Sequence, residues 1–128
     1  MFTLDQIKET HARVKSGADF PNYVHEINEL GVIKYTFFVA DGNISYSGSN
    51  NFVITSDPGY PQLEISQQVD NEKFKSYLKI HQQGQTDFLT FCKHCAESGV
   101  EKWIVDTTER TCSYFDMSGH EVLIEVIP

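Results

Sequence analysis

Two hydrophobic periodicities alternate along the chain and divide it into predicted helices and strands. Apolar residues three and four positions apart indicate amphipathic helices. Thr3 and Gln6 form a capping-box pattern, Asp70 and Asp87 are predicted N-caps, and glycines after the last turn end the helices. Helices are predicted over residues 3–16, 19–31, 70–84 and 87–99.

Each predicted helix pair is followed by short stretches rich in β-branched and aromatic residues, the composition typical of strands. Asp41-Gly42 and Ser118-Gly119 mark tight turns, so we expect the strands beside them to pair antiparallel. Strands are predicted over residues 32–39, 44–47, 52–55, 102–106, 111–115 and 121–127, with a further short strand over 63–66.

The order of helices and strands occurs twice, and the residues repeat with it. An offset of 68 positions aligns residues 19–46 with 87–114 and gives eight identities in 28 ungapped positions, where chance gives about two. We therefore predict one α+β domain, residues 1–128, with two layers and about four helices packed on an antiparallel sheet. It would be built from an internally duplicated α-α-β-β(-β) unit, with halves of about 1–67 and 70–128.

Charge and hydropathy narrow the classes of function. The 18 acidic and 10 basic residues give a net charge of -8, which disfavours nucleic-acid binding because it repels phosphates. No apolar run approaches the roughly 20 residues of a membrane span, and the first residues lack the basic and apolar regions of a signal peptide. We expect a protein of the cytoplasm with no membrane partner. The acidity also suggests an alternative function, an acidic mimic of DNA.

Three cysteines, Cys92, Cys95 and Cys112, form the strongest metal-like pattern, since the first two make a C-x2-C motif. A second motif of this kind is absent from the sequence. The repeat aligns all three thiols with aliphatic residues of the first half, and a buried cysteine behaves as a small hydrophobic residue. We predict that they pack the core, and we expect no metal and no cofactor.

Histidines and a polar loop supply the weak candidates for a site. His11 and His81 fall in the apolar stripe of the first helix of each half, where a histidine is a core residue or a general acid or base lining a cleft. Gln83 and Gln85 belong to the loop 82–87, which is polar enough to contact a ligand.

A duplicated charge pattern flanks the glycine turn in both halves. Glu29 and Glu97 precede it, and Lys34 and Lys102 follow it. The lysines are candidate ligand-binding residues of a duplicated anion site. The favoured interpretation is a duplicated surface ion pair, worth under about 1 kcal/mol.

Several segments resemble one known family. They are residues 1–20, 81–87, 99–103, 111–116 and 125–128. Together they resemble the YdfO/YbcV-like family, small proteins of unknown function found in enterobacterial prophages and other bacterial genomes. The resemblance covers essentially the whole chain and implies a compact domain of helices on an antiparallel sheet. It implies no activity, cofactor or catalytic residue.

Two classes of function compete. The leading hypothesis is a small interaction or accessory protein that binds a host protein or a small ligand in a groove between the two halves, and the resemblance suggests that it derives from a prophage. The alternative is an enzyme that uses His81 and His11 as acid and base in that cleft. The sequence defines neither the partner nor the oligomeric state.

Overall fold

A computed structural model describes residues 1–14 and 17–128. Within that part of the chain, four α-helices pack against one six-stranded antiparallel sheet, and the predicted α+β class is confirmed. The elements in chain order are α1 (Leu4–His11), α2 (Phe20–Leu30), β1 (Lys34–Phe38), β2 (Ile44–Ser47), β3 (Val53–Thr55), α3 (Asn71–Gln82), α4 (Phe88–Glu97), β4 (Val100–Asp106), β5 (Thr111–Asp116) and β6 (Glu121–Val126).

Helix α1 begins as predicted and ends early. The Thr3 hydroxyl accepts the Gln6 backbone amide at 3.2 Å, while the Gln6 side chain accepts the Thr3 amide at 2.9 Å, so the capping box is confirmed. The helix ends at His11 rather than at residue 16. The amides of Arg13 and Val14 donate to carbonyls three residues earlier, which is the 3₁₀ pattern, so the α-helix does not continue beyond His11. Residues 15 and 16 of the predicted helix lie outside the described residues.

The predicted caps of α3 and α4 are also confirmed. One carboxylate oxygen of Asp70 accepts the Lys73 amide at 3.0 Å, and one of Asp87 accepts the Thr90 amide at 2.7 Å. Both aspartates thus satisfy an amide that has no partner within its helix.

The sheet has the strand order β3-β2-β1-β4-β5-β6, with β1 and β4 as the central antiparallel pair. Thr36 lies opposite Ile104 in that pair. Tyr35 lies opposite Tyr46 between β1 and β2, while Trp103 lies opposite Tyr114 between β4 and β5. Each half of the chain therefore contributes three adjacent strands.

The predicted strand over residues 63–66 is wrong. The Leu63 amide donates to the Ala40 carbonyl, and the Ser66 amide donates to the Ala96 carbonyl at the end of α4. These bonds reach a turn and a helix end, so the segment has no neighbouring strand with which to form a ladder. The first strand is also shorter than the predicted 32–39, because β1 spans Lys34–Phe38.

The core lies between the four helices and one face of the sheet. At the centre, the rings of Phe37 on β1 and Trp103 on β4 stack with centroids 4.3 Å apart. Phe88 of α4 packs edge-on against Phe37 at 5.3 Å, and Phe74 of α3 contacts Tyr114 on β5 at 5.0 Å. Aromatic side chains therefore fill the region where the two halves meet.

Candidate functional site

The helices leave one face of the sheet open. In β1, Tyr35 and Phe37 are buried, whereas Lys34, Thr36 and Phe38 point to the other side and none of them is buried. The strand registers connect such residues into three rows that cross the sheet, which we call the uncovered face. The first row is Val53, Ser47, Lys34, Asp106, Thr111 and Val126; the second is Thr55, Ser45, Thr36, Ile104, Ser113 and Ile124; the third is Phe38, Lys102, Phe115 and Glu121.

The uncovered face has a neutral centre and apolar edges. Its charged residues within these described strands are Lys34, Lys102, Asp106 and Glu121, so its formal charge is zero while the whole chain carries -8. Most of its other residues carry a small hydroxyl or an apolar side chain. The apolar residues at the outer strands are strongly exposed: Val53 54%, Ile124 51% and Val126 80%.

The two candidate ligand-binding lysines both belong to this face. Lys34 lies opposite Asp106 across the central strand pair. The Lys102 amine lies 5.9 Å from the centroid of the Phe115 ring, within reach of a cation–π interaction. The fold therefore brings together two residues that the sequence singled out separately.

His81 is half-buried in the seam between α3 and α4. Its Nδ1 lies 3.1 Å from the Thr86 hydroxyl and 3.2 Å from the Thr86 carbonyl oxygen, and its ring stacks on Phe91 with centroids 4.3 Å apart. Burial lowers the pKa of His81, while the bond to Thr86 and the charge of Asp87 act in the opposite direction. The environment favours the neutral imidazole.

His11 is exposed, so its predicted place in an apolar stripe is wrong. Helix α1 turns Ile7 and Thr10 into the core instead. The His11 ring meets Tyr23 of α2 edge-on at 5.4 Å. The two candidate histidines thus contact different helix pairs, His11 the first and His81 the second. An acid–base role for either remains a prediction.

The candidate glutamines interact with each other at the surface. The Gln85 side-chain amide donates to the Gln83 side-chain oxygen at 3.1 Å, and both residues are exposed. Their neighbour Gln82, the last residue of α3, donates to both carboxylate oxygens of Glu125 on β6 at 3.1 Å. The loop is thus tied at one end to the edge of the sheet.

The predicted duplicated ion pair is wrong. Glu97 accepts from the Lys73 amine at 2.9 Å and from the Tyr77 hydroxyl at 3.1 Å, and these two hydrogen bonds, chiefly the one from Lys73, lower the pKa of Glu97. Glu29 lies 2.7 Å from a ring nitrogen of His25 instead. Glu29 pairs with a residue one turn earlier in α2, whereas Glu97 reaches from α4 to Lys73 on α3. Both carboxylates thus have partners other than the lysine beyond the turn.

The prediction that all three thiols lie in the core is confirmed. Cys92, Cys95 and Cys112 are buried and reduced. Burial raises the pKa of Cys92 to about 11 and that of Cys112 to about 12. Among the described residues, no group of three or more histidines, cysteines and acids is arranged to hold a metal ion.

Sequence reasoning missed the residues at the centre of the uncovered face. Thr36, Ile104 and Asp106 belong to correctly predicted strands. Alternation along Lys102-x-Ile104-x-Asp106 already indicates one shared side of a strand. Which residues become neighbours across two strands depends on the strand register, and alternation within one strand does not determine that register.

Comparison with known protein families identifies the family of the chain. A family model described as "Protein of unknown function (DUF1398)" matches residues 8–126. The chain belongs to the DUF1398 family. In the part of this DUF1398 protein that the structure describes, each helix is too short or too polar to cross a bilayer.

Similar proteins from two bacterial groups carry equally uninformative names. "Uncharacterized protein YcgX" of Escherichia coli (strain K12) is 22% identical over 125 residues, which cover 95% of this DUF1398 chain and 93% of YcgX. "Uncharacterized protein Rv2012" of Mycobacterium tuberculosis (strain ATCC 25618 / H37Rv) is 28% identical over 101 residues, covering 77% of this chain and 60% of Rv2012. "Uncharacterized protein Mb2035" of Mycobacterium bovis matches with the same figures. The mycobacterial proteins are therefore substantially longer than the matched region.

Proposed function

We propose that this chain is a small interaction protein that docks a protein partner on the uncovered face of its sheet. The observation that carries the proposal is the contrast between the two faces. One is packed with aromatic rings under the helices, and the other presents three continuous rows of exposed or half-exposed side chains. An antiparallel sheet commonly has one solvated face, but that face is then polar and charged. This one combines small hydroxyl residues with apolar side chains at both edges.

The charge distribution supports the same surface. Interface centres are depleted of charged residues relative to the rest of a protein surface. The middle row, from Thr55 through Thr36 and Ile104 to Ile124, contains no charged residue. The net charge of -8 therefore lies outside the face, where it maintains solubility without opposing a partner.

The proposed surface differs from the groove between the halves that the sequence suggested. On the helical side, Phe88 of α4 reaches across to Phe37 of β1 with ring centroids 5.3 Å apart. Side chains from both halves occupy that region already. The uncovered face instead presents exposed side chains in each of its three rows.

Site-specific photocrosslinking in the native host tests this function. A photoreactive amino acid replaces Ser113 at the middle of the uncovered face, and a matched variant carries it at Lys79, on the exposed side of α3. We expect discrete adducts from position 113 and few from position 79. Absence of adducts at position 113, or equal labelling at both positions, would refute the proposal. The mass of the adduct identifies the kind of partner.

We also propose that the chain is related to the YdfO/YbcV-like proteins. The segments 81–87, 99–103 and 111–116 support kinship with YdfO/YbcV-like proteins, and with it an origin in a prophage and a place in the cytoplasm. A small accessory protein of that origin would act by binding a host protein. This fits a chain with a packed core and an open, neutral face.

We also propose that the scaffold arose by duplication of one helix–helix–strand unit. Three correspondences support it. Helices α2 and α4 begin at Phe20 and Phe88, which the offset of 68 aligns. The partners Tyr35–Tyr46 and Trp103–Tyr114 correspond under the same offset. The sheet order is symmetric about the β1–β4 pair.

A further inference from the structure

We propose that the partner on the uncovered face is a second copy of this chain, packed face to face about a two-fold axis parallel to β1 and β4. The inference rests on the proposed function and adds the identity of the partner. Two sheets that pack face to face lie about 10 Å apart with their strands nearly aligned, and the interdigitated side chains of the two faces fill the space between them.

The axis fixes which strands face each other. A rotation about a line between β1 and β4 lays β1 of one copy over β4 of the other, β2 over β5, and β3 over β6. Each cross-strand row then lies over the same row of the second copy. The contact is isologous, so every pair that it creates occurs twice.

The central strands are charge-complementary under this rotation. Lys34 comes to lie over Asp106 of the second copy, and Lys102 lies over Phe38. The first contact pairs opposite charges, and the second sets an ammonium group on an aromatic ring. Thr36 lies over Ile104 between them, so no like charges meet at the centre.

The edges of the sheet distinguish this axis from the other aligned arrangement. Val53 of β3 meets Val126 of β6, and Thr55 meets Ile124. These contacts cover three of the strongly exposed apolar side chains of the sheet. An axis running across the strands would also pair Asp106 with Lys102, but it would place Val126 near Glu121 at the same edge. A diagonal axis through Lys34 and Lys102 would place each lysine over the same lysine of the second copy, so like charges would meet.

The size of the face predicts the strength of the dimer. Six strands about 4.8 Å apart and about five residues long give a flat footprint on the order of 450 Å². Stable interfaces bury about 800 Å² on each partner. Two copies with a charge of -8 also repel each other away from the neutral face. We therefore expect a dimer in a concentration-dependent equilibrium, with a dissociation constant in the micromolar range.

Sedimentation equilibrium over a range of concentrations measures this association. The parent protein should move from 14.6 kDa toward twice that mass as its concentration rises. The single variants Lys34→Glu and Asp106→Lys place like charges across the interface, so each should raise the dissociation constant at least tenfold. An equimolar mixture of the two variants restores opposite charges in both pairs of the mixed dimer. The mixture should bind within a few-fold of the parent.

The experiment with the mixture distinguishes loss of the intermolecular contact from effects of the substitutions within one chain. Lys34 and Asp106 are also register neighbours within their own sheet. The Asp106 carboxylate accepts the Thr108 and Glu109 amides, so the single variants also change contacts inside one chain. Mixing leaves those changes in place, and only an intermolecular contact can recover. Ser113→Arg gives a second test without a charge reversal at the central pair, because it buries an unpaired charge in the uncharged middle row of the interface. Lys79→Glu on α3 is the matched control and should leave the equilibrium unchanged.

Two results would overturn the second copy as partner. One is a parent protein that stays monomeric up to about 1 mM, where even weak specific association is visible. The other is a mixture that remains as weak as its components. If the crosslinks at position 113 then carry a protein of another mass, the docking function stands and only the self-association fails. If position 113 gives no adducts, both fail.

Discussion

The hydroxyl of Thr107 donates a hydrogen bond to the carbonyl oxygen of Val32 at 2.6 Å. Thr107 follows the last residue of β4, and Val32 precedes β1, so the bond ties the second half of the chain to the first. The same hydroxyl accepts from the side-chain amide of Asn28 at the end of α2, at 2.9 Å. Thr107 is 3% exposed and Val32 is fully buried, so the Val32 carbonyl depends on this hydroxyl in place of water.

Replacing Thr107 with valine should destabilise the protein. The substitution keeps the shape of the side chain and leaves the buried Val32 carbonyl without its donor, which costs about 1–3 kcal/mol. The half-buried Asn28 amide also loses its acceptor. Chemical denaturation, followed by the fluorescence of the single tryptophan, Trp103, measures the free energy of unfolding. Thr108→Val, at an exposed neighbouring position, should change it by less than about 0.5 kcal/mol. Equal losses at the two positions would contradict this role.

Gly99 should tolerate alanine much less well than Gly84 does. Both have positive φ, +88° and +77°, and share the conformational cost of about 1 kcal/mol for a side chain there. A Cβ at Gly99 would lie 2.7 Å from the Val69 Cα, whereas a Cβ at Gly84 has open space. The Gly99→Ala variant should lose roughly 1–3 kcal/mol more than Gly84→Ala in the same denaturation experiment. Similar losses would mean that the segment before α3 moves aside freely.

The thiols should be protected from modification in the folded protein. Burial raises the pKa of Cys92 to about 11 and that of Cys112 to about 12, and it raises that of Cys95 strongly, so the reactive thiolate is scarce at pH 8. Iodoacetamide should leave the native protein almost unlabelled and modify all three cysteines in denaturant, as read by intact mass. An added cysteine at the exposed Ser49 provides the control and should react in the native state. Rapid native labelling at the original positions would contradict the buried environment.

Acidification should weaken the fold through His81. Its pKa in the folded state lies below the ordinary value of 6.5, chiefly because of burial, with a smaller lowering from the charge of His94. As the pH falls, the unfolded chain therefore binds this proton first. The contribution of His81 is fully present above about pH 6.5 and is lost as the pH falls through the folded-state pKa.

The variant His81→Phe isolates that contribution. It keeps a ring against Phe91 and removes the titration, so its free energy of unfolding should fall less between pH 7 and pH 5 than that of the parent. Denaturation curves at several pH values measure the difference. Parallel losses in the two proteins would assign the pH dependence to other groups.

Local signals predicted most of the elements correctly. The capping box of Thr3 and the caps Asp70 and Asp87 appear where the sequence indicated them, because a cap depends on residues three positions apart. Strand β2 matches its predicted range, because a turn and an alternating pattern bound it. The wrong predictions, the end of α1 and a strand over residues 63–66, concern segments where the local pattern was ambiguous.

The site depended on information that lies far apart in the chain. The repeat singled out Lys34 and Lys102, but the glutamates predicted to pair with them have other partners. Glu29 pairs with His25 within α2, and Glu97 of α4 pairs with Lys73 of α3. The two candidate histidines contact different helix pairs, and their acid–base role stays a prediction. His11 ends an exposed turn, and only His81 reaches a packed seam.

By itself the sequence determined the fold class, the order of the elements and the burial of the cysteines, since hydrophobic period, caps and turns act over a few residues. Only the tertiary structure decided which side of the sheet the helices cover and which side chains share the other. That choice follows from strand register, and a shift of one residue would move Thr36 and Ile104 into the core and Tyr35 and Trp103 into water. Burial of the aromatic rings selects the observed register, and the uncovered face is its consequence.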